Sequence, residues 1–153
     1  MAGVTRNLNR DELAAWQAFL HAHQQVIDTL DAELRAEHGL SLSDYDVLLR
    51  LARAPEGKLH MTELARRIMF SPSGLTRVVD RLVRDGLVER LRDTADARVV
   101  FARLTEKGRD RLRKAAQTHV RGIRQHFTGR LSPRQMRNVA AALEVIAGPH
   151  EPH

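Results

Sequence analysis

The sequence predicts a mainly α fold with one small β-hairpin, which places it in the α+β class. Three observations lead to this prediction. Apolar residues recur at alternating spacings of three and four in long segments near both ends of the chain. Two short helical segments, each with its own start signal, follow one another in the middle of the chain. Two β-rich runs separated by a polar turn come directly after them.

The composition limits the classes of protein that the chain can belong to. Its 153 residues include 25 Lys plus Arg and 19 Asp plus Glu, for a net charge of +6, and no Cys. The length fits one domain with an added dimerisation element. The lack of cysteine excludes a disulfide framework, a cysteine zinc site and a thiol-based sensor. Because we find neither a signal peptide nor an apolar run long enough for a membrane span, we expect a cytoplasmic protein with no membrane partner.

The charge is distributed unevenly along the chain. Residues 1–57 carry a net charge of −4, residues 58–104 carry +4 and residues 105–153 carry +6. Of the 25 cationic residues, 22 are arginine, whose planar fork matches phosphates and guanine edges. A polyanionic partner and a merely solvated surface are both compatible with this pattern.

The first predicted helix runs from about Arg10 to His38 and ends at Gly39. Its apolar residues form a heptad seam in which His23 occupies one slot, which indicates a partner helix. The seam residues are Leu13, Trp16, Leu20, Ile27, Leu30 and Leu34. A second helix is predicted to begin at Ser43, which has capping-box spacing to Asp46.

The next elements follow at short intervals. Lys58-Leu59-His60 is a candidate short strand, and Thr62 is expected to cap a third helix that ends near Met69. Ser71-Pro72 opens a fourth helix that reaches Asp85. The hairpin strands are predicted at 87–91 and 98–104, and Thr105 is expected to cap a fifth helix that runs to about residue 129. Ser132 and Gln135 have capping-box spacing at the start of a last helix, whose apolar stripe is expected to face inward.

Two short helices joined by a tight turn and followed by a β-hairpin are typical of a winged helix-turn-helix, in which the second helix enters the major groove of DNA. With its apolar stripe buried, that helix would direct polar side chains outward. The candidate DNA-contacting residues on it are Ser73, Thr76, Arg77, Arg81 and Arg84. Thr62 and Ser71, at the starts of the two helices, are candidate phosphate contacts, or simply caps.

Five blocks of sequence, in this order, resemble the MarR family of transcriptional regulators. The blocks are MTELA at 61–65, SPSGLTRVVDRL at 71–82, DGLVER at 85–90, DAR at 96–98 and LTEKG at 104–108. The resemblance implies a homodimer that binds pseudo-palindromic double-stranded DNA. It also implies that residues 1–40 and 105–153 form a helical dimerisation region and that residues 41–104 form the DNA-binding domain.

The same resemblance implies roles for two residues of the hairpin. Asp96 and Arg98 match the family's wing pattern, in which the arginine enters the minor groove and the aspartate orients it. A narrow minor groove focuses negative potential on an inserted arginine. The alternative is an ordinary surface ion pair, which contributes little to stability.

The resemblance further implies release from DNA by a small aromatic or phenolic effector. The candidate contacts are Trp16, Phe19, His23 and Tyr45. Packing of these residues in the dimer interface is the alternative. We expect no metal and no cofactor, because histidines such as His119 and His126 lack the spacing and the acidic neighbours of a zinc site.

No catalytic motif stands out, so we expect no enzyme activity. The sequence therefore predicts a sequence-specific transcriptional regulator, and specifically a repressor. The alternatives are a non-specific architectural DNA-binding protein or a protein–protein module built on the same fold.

Overall fold

The computed structural model describes residues 7–68 and 72–148, with the side chains of residues 72 and 73 outside the description. The helices are α1 (Arg10–His38), α2 (Leu42–Arg53), α3 (Met61–Arg67), α4 (Pro72–Arg84), α5 (Glu106–His126) and α6 (Pro133–Ala147). The strands are β1 (Lys58–His60), β2 (Val88–Arg92) and β3 (Val100–Leu104). Short 3-10 turns at Pro55–Gly57 and Thr128–Arg130 complete the described elements.

The predicted fold class is confirmed: the chain is mostly helical and carries one small antiparallel sheet. The predicted hairpin is formed by β2 and β3, with Val88 opposite Leu104. The predicted strand at Lys58–His60 also forms, and it pairs with the other edge of β3 to give the order β1-β3-β2. The hairpin is therefore fixed to the segment that leads into α3.

The described chain divides into two compact units. Unit 1 contains the residues up to Thr29 and those from Ile123 onward, and unit 2 is Leu30–Gly122. The last part of α1 and most of α5 belong to the core of unit 2, where Leu34 and Ala115 are fully buried.

The core of unit 2 joins the helices on which DNA recognition would depend. Leu48 of α2, Leu64 of α3 and Leu82 of α4 are each fully buried, as is Val79 of α4. Burial of side chains of this size contributes about 1.5–3 kcal/mol each. These contacts attach α4 to the rest of unit 2 along one face of the helix.

The start of α2 differs from the prediction by two residues. Ser41, not Ser43, is the N-cap, and its Oγ accepts a hydrogen bond from the backbone N–H of Asp44 at 3.0 Å. The Asp44 carboxylate in turn accepts from the backbone N–H of Ser41 at 2.8 Å, which completes a capping box. Both residues are buried, so this pair closes the helix start inside unit 2, whereas Ser43 lies in the first turn.

The start of α3 also differs from the prediction. Thr62 lies in the first turn of the helix, and the N-cap residue is His60, whose side chain makes no capping bond. The helix starts earlier than predicted because β1 leads into it without an intervening loop. It ends at Arg67, before the predicted Met69. The predicted cap at Ser71 lies outside the described residues.

Unit 1 contains helices that bury little within this chain. The predicted capping box of Ser132 and Gln135 is confirmed, and it opens α6. None of the described residues of α6 is buried, although its apolar stripe was expected to face inward. In α1, the seam residues before residue 30 are exposed, whereas Leu30 and Leu34 are buried in unit 2. The apolar face of unit 1 is therefore uncovered in the single chain.

Candidate nucleic-acid interface

Helix α4 has one face in the core and one face directed to solvent. Leu75, Val78, Val79 and Leu82 are buried at helical spacing. Among the predicted DNA contacts, Thr76, Arg77 and Arg84 are exposed on the opposite side. The predicted burial of the apolar stripe of this helix is therefore confirmed.

Arg81 is placed differently from its neighbours on α4. Its guanidinium donates to Oδ1 of Asp44 in α2, from Nε at 3.1 Å and from Nη2 at 2.5 Å. The Arg81 side chain is 42% exposed, whereas the Asp44 side chain is only 3% exposed. The adjacent Asp80 forms an ion pair with Arg90 of β2 at 2.6 Å. Two successive residues of α4 are thus bonded to two different neighbouring elements.

The carboxyl end of α4 is held by the beginning of α5. The Oγ1 of Thr105 donates to the carbonyl oxygen of Gly86 at 2.7 Å, and Nζ of Lys107 donates to the carbonyl oxygen of Asp85 at 2.8 Å. A cation at this position also interacts favourably with the helix dipole. The predicted cap of α5 is confirmed, since Thr105 Oγ1 accepts from the N–H of Gly108.

Gly108 explains the close approach of these two elements. A Cβ atom on this residue would lie 2.1 Å from the carbonyl oxygen of Leu87 and 2.8 Å from Cδ1 of Leu104. Only a residue without a side chain allows α5 to pass so close to the backbone of the residues that follow α4. The block LTEKG thus acts as a junction that fixes the end of α4.

The turn of the hairpin carries Asp96 and Arg98. The Arg98 side chain is 91% exposed, and its Nε and Nη2 donate to the two carboxylate oxygens of Asp96 at 3.1 and 3.2 Å. Asp96 Oδ1 also accepts from the backbone N–H of Arg98 at 3.0 Å. The side-chain bonds from Arg98 are the main cause that lowers the pKa of Asp96. The pair therefore presents an oriented guanidinium at the hairpin tip.

The remaining predicted contacts are placed only in part. Thr62 is exposed on the first turn of α3. Ser71 and the side chain of Ser73 lie outside the described residues. The described members of the predicted set all belong to unit 2 and come from α3, α4 and the hairpin.

Comparisons with known proteins agree with this architecture. A sequence model of the MarR family matches residues 38–99. An HTH-type transcriptional regulator of Bacillus subtilis, YkoM, is 33% identical over 118 residues, which cover 76% of this chain and 73% of that protein. The chain belongs to the MarR family of transcriptional regulators.

Two further relatives support the assignment to the MarR family. A MarR family regulator of Streptomyces coelicolor, solved in complex with DNA, is 33% identical and has a TM-score of 0.88. The match covers 96% of this chain and 92% of that one. The repressor YetL of B. subtilis is 36% identical over 88 residues, which cover 58% of this chain and 53% of that protein.

Sequence reasoning missed the residues that hold α4 in place. Asp44 and Arg90 contact α4, and Lys107 contacts the residue that follows it. Each partner is more than nine positions away in the chain, so no local spacing rule could pair them. The available signal was chemical: an aspartate in an otherwise apolar helix face requires a cation nearby.

The four candidate effector contacts divide between the two units. Trp16, Phe19 and His23 form a ladder along α1 in unit 1, with ring centroids 6.2 and 6.1 Å apart. Phe19 and His23 line a cavity of about 650 Å³ within unit 1, and Trp16 is not part of its lining. The cavity is mainly apolar, and its charged or titratable lining residues are His23, His126 and Arg130.

Tyr45 is buried in unit 2, where its ring centroid lies 4.5 Å from that of His119. Burial raises the pKa of Tyr45. Burial lowers the pKa of His119, and the nearby Asp46 carboxylate partly offsets this lowering. Within the described part of the chain, Nδ1 of His119 is buried without a hydrogen-bond partner. These observations place Tyr45 and His119 in the packing between α2 and α5.

The described residues contain neither a metal-binding cluster nor a membrane-spanning helix. Across 7–68 and 72–148, no group of three His, Asp or Glu side chains is arranged to hold a metal ion. In the same residues, no helix is both long and apolar enough to cross a membrane.

Proposed function

We propose that this MarR family member is a sequence-specific repressor that binds a pseudo-palindromic operator in double-stranded DNA as a homodimer. The observation that carries the proposal is the geometry of unit 2. An exposed row on α4, including Arg77 and Arg84, and the oriented Arg98 of the hairpin belong to one compact unit. The major groove of DNA accommodates an α-helix, and a narrow minor groove accommodates an inserted arginine side chain.

In this proposal α4 enters the major groove, and Thr76 and Arg77 contact base edges. Arg84 lies two turns further along, where a phosphate would lie. Thr62, Ser71 and Ser73 are proposed to contact the DNA backbone or bases near the helix starts, where free N–H groups favour phosphate. Arg98 enters the flanking minor groove, with Asp96 fixing the plane of its guanidinium.

The homodimer is proposed because unit 1 exposes a large apolar surface. Most of the large exposed hydrophobic side chains belong to it. They include Leu13, Trp16, Leu20 and Ile27 of α1 and Val145 and Ile146 of α6. Exposure of this many large apolar side chains favours an interaction surface. A second copy supplies the same heptad seam, and a two-fold dimer would present two copies of α4 about one helical turn of DNA apart.

Repression is proposed on the names of relatives such as YetL. The direction of regulation depends on where the operator lies relative to the promoter. A reporter gene placed behind the selected operator tests it: expression should fall when the protein is present and recover with Arg77→Ala.

The test of the main proposal is selection of bound sequences from randomised duplex DNA at near-physiological salt, followed by sequencing. We expect a two-fold-symmetric motif with half-sites about 10 base pairs apart. Arg98→Ala should weaken binding to that motif while leaving the melting temperature unchanged. Enrichment without any motif, together with similar affinity for all duplexes, would instead favour the architectural alternative.

A second function is favoured by the cavity in unit 1. We propose that it takes a small aromatic or phenolic effector that releases the protein from DNA. Its volume of about 650 Å³ lies in the range of small-molecule sites, and its mainly apolar lining with a few polar groups fits such a ligand. Arg130 supplies a charge for a carboxylate or phenolate.

Calorimetric titration with benzoate and with phenol, used as probes, tests the effector site. We expect binding that weakens in Phe19→Ala and in Arg130→Gln, and a loss of operator affinity when the probe is present. Absence of heat at millimolar concentrations of both probes would contradict the proposal. The dimer proposed above would then be sufficient to account for this surface.

A further inference from the structure

Among the described residues, Asp44 has the most deeply buried charged group that contacts α4. Oδ2 accepts the backbone N–H of Ser41 at 2.8 Å, and Oδ1 accepts both Nε and Nη2 of Arg81. The side chain is 3% exposed. Both carboxylate oxygens therefore have partners, and the cation Arg81 is bonded to Oδ1.

A buried carboxylate requires a compensating charge, because removing it from water is costly. Arg35 also lies near enough to interact electrostatically with Asp44, but its guanidinium is bonded to Asp31. Arg81 thus neutralises Asp44 and is held by it. Such pairs stabilise a protein weakly compared with apolar packing, but they select one geometry, since breaking either member leaves an uncompensated buried charge.

The geometry selected here is the rotation of α4 about its own axis. Apolar packing attaches one face of the helix but is not directional, whereas a hydrogen-bonded ion pair is. Arg81 is tied to α2 on one flank, and Asp80, one residue earlier, is tied to Arg90 of β2. Successive helical residues project about 100° apart, so the two ties act in different directions. Arg77 lies one turn before Arg81 on the same face, and its direction follows this rotation.

We propose that Asp44 is a positioning residue for DNA recognition, which acts through Arg81 to fix the rotation of α4 and thereby aims Arg77 and Thr76 at the bases. The inference rests on the proposed DNA-binding function. It assigns Arg81 a different role from the direct contact predicted from the sequence. Substitution in a positioning pair lowers affinity for the operator far more than affinity for random DNA, whereas loss of a phosphate contact lowers both affinities equally.

The experiment is a double-mutant cycle with Asp44→Asn, Arg81→Gln and the double variant, measured on the selected operator and on random duplex over a range of salt concentrations. We expect each single variant to lose about tenfold or more in operator affinity. Affinity for random DNA should stay within about twofold, and the salt dependence should not change. The double variant should bind the operator no more weakly than either single variant.

Asp31→Asn is the matched control. Asp31 also accepts a backbone N–H at the start of α2, from Leu42 at 2.8 Å, and also pairs with an arginine. The first of these bonds joins α1 to α2, the second lies within α1, and neither involves α4. This variant should keep operator affinity. A loss equal to that of Asp44→Asn would overturn the proposal, because it would show that the start of α2 in general, and not the tie to α4, is responsible.

Arg81→Lys separates positioning from phosphate binding if Asp44→Asn does not fold. Lysine keeps the charge but lacks the fork that bonds Oδ1 twice. We expect Arg81→Lys to lose operator affinity clearly and to retain its affinity for random DNA. Two results would overturn the positioning role. One is wild-type operator affinity in Arg81→Lys. The other is an equal loss of affinity on all sequences in Arg81→Gln, with a salt slope lower by about one.

The experiment also separates failure of the positioning role from failure of the proposed function. If the wild type selects no operator, the proposed DNA-binding function is wrong. If the wild type selects an operator but the effects of the two substitutions on affinity are additive, only the positioning role is wrong.

Discussion

The exposed arginines of unit 2 differ in what surrounds them, and this difference predicts different roles. Arg77 is exposed on the outward face of α4. Arg98 is oriented by a carboxylate at the hairpin tip, and Arg81 is bonded to a buried one. Identical side chains are therefore expected to respond differently to the same substitution.

Arg77→Ala is expected to relax the sequence preference of the protein. A bidentate contact from arginine to guanine discriminates by about 1–3 kcal/mol, so affinity for the operator should fall by that amount while affinity for random DNA changes little. Competition binding with single-base variants of the operator measures it. Equal losses on every duplex would make Arg77 a phosphate contact instead.

At the scale of elements, the junctions of α4 with its neighbours determine where this helix lies. The end of α4 is bonded to Thr105 and Lys107, and α5 passes close to Leu87 because residue 108 is glycine. An added Cβ atom at Gly108 would overlap the backbone of Leu87.

Gly108→Ala is expected to destabilise the protein by about 1–3 kcal/mol, the usual cost of forcing an atom into a packed site. The clash is with a backbone carbonyl, which cannot rotate away as a side chain could. Urea denaturation measures the free energy of unfolding. Gly39→Ala is a useful comparison, because a Cβ there meets no atom within 4 Å and its cost comes from the positive φ of 65° alone.

The contact between α2 and α5 predicts a pH dependence of stability. Burial lowers the pKa of His119 below its usual 6.5. The unfolded chain then binds the proton more readily than the folded chain does, so the free energy of unfolding should fall as the pH is lowered from about 7.5 to about 5.5. His119→Phe should flatten this dependence in urea denaturation.

Tyr45→Phe is the control for His119→Phe. Burial raises the pKa of Tyr45, so its hydroxyl stays neutral throughout this window. The variant keeps the ring beside His119 and should retain the pH dependence. Carboxylates with lowered pKa, such as Glu63, affect stability only at more acidic pH, where they become protonated. An unchanged slope in His119→Phe would contradict the prediction.

The elements show which parts of the structure local sequence can predict. Both ends of α1 were predicted, because a heptad seam and a glycine stop are local signals. The start of α2 was misplaced because Ser41 and Asp44 have the same spacing as Ser43 and Asp46. Which pair forms the cap depends on burial in the folded unit. The bond between Asp44 and Arg81 joins residues 37 positions apart and depends on the same packing.

At the scale of the whole molecule, the two units differ in how much of their apolar surface is buried within the chain. Unit 2 has a closed apolar core, whereas α6 has no buried residue among those described. Helix α6 is 15 residues long and has a complete N-terminal capping box. Isolated helices of this length are marginally stable in water, so α6 is expected to gain stability from a partner surface.

Leu20→Glu is expected to dissociate the proposed homodimer. The residue lies on the exposed seam of α1, and a charge there would have to be buried without a partner. Sedimentation equilibrium should give a dimer for the wild type and a monomer for the variant, with operator binding lost. His21→Glu adds a charge at an exposed neighbouring position off the seam and should remain dimeric. A monomeric wild type would contradict the prediction.

The uncovered face of unit 1 has a genetic consequence. Because the surfaces proposed for pairing and for reading DNA belong to separate units, a chain carrying Arg77→Ala keeps everything needed to pair with a normal chain. A dimer of one variant chain and one normal chain would have only one intact DNA-binding surface. Such an allele is therefore expected to be dominant over the wild type, whereas an allele carrying Leu20→Glu, which cannot pair, is expected to be recessive.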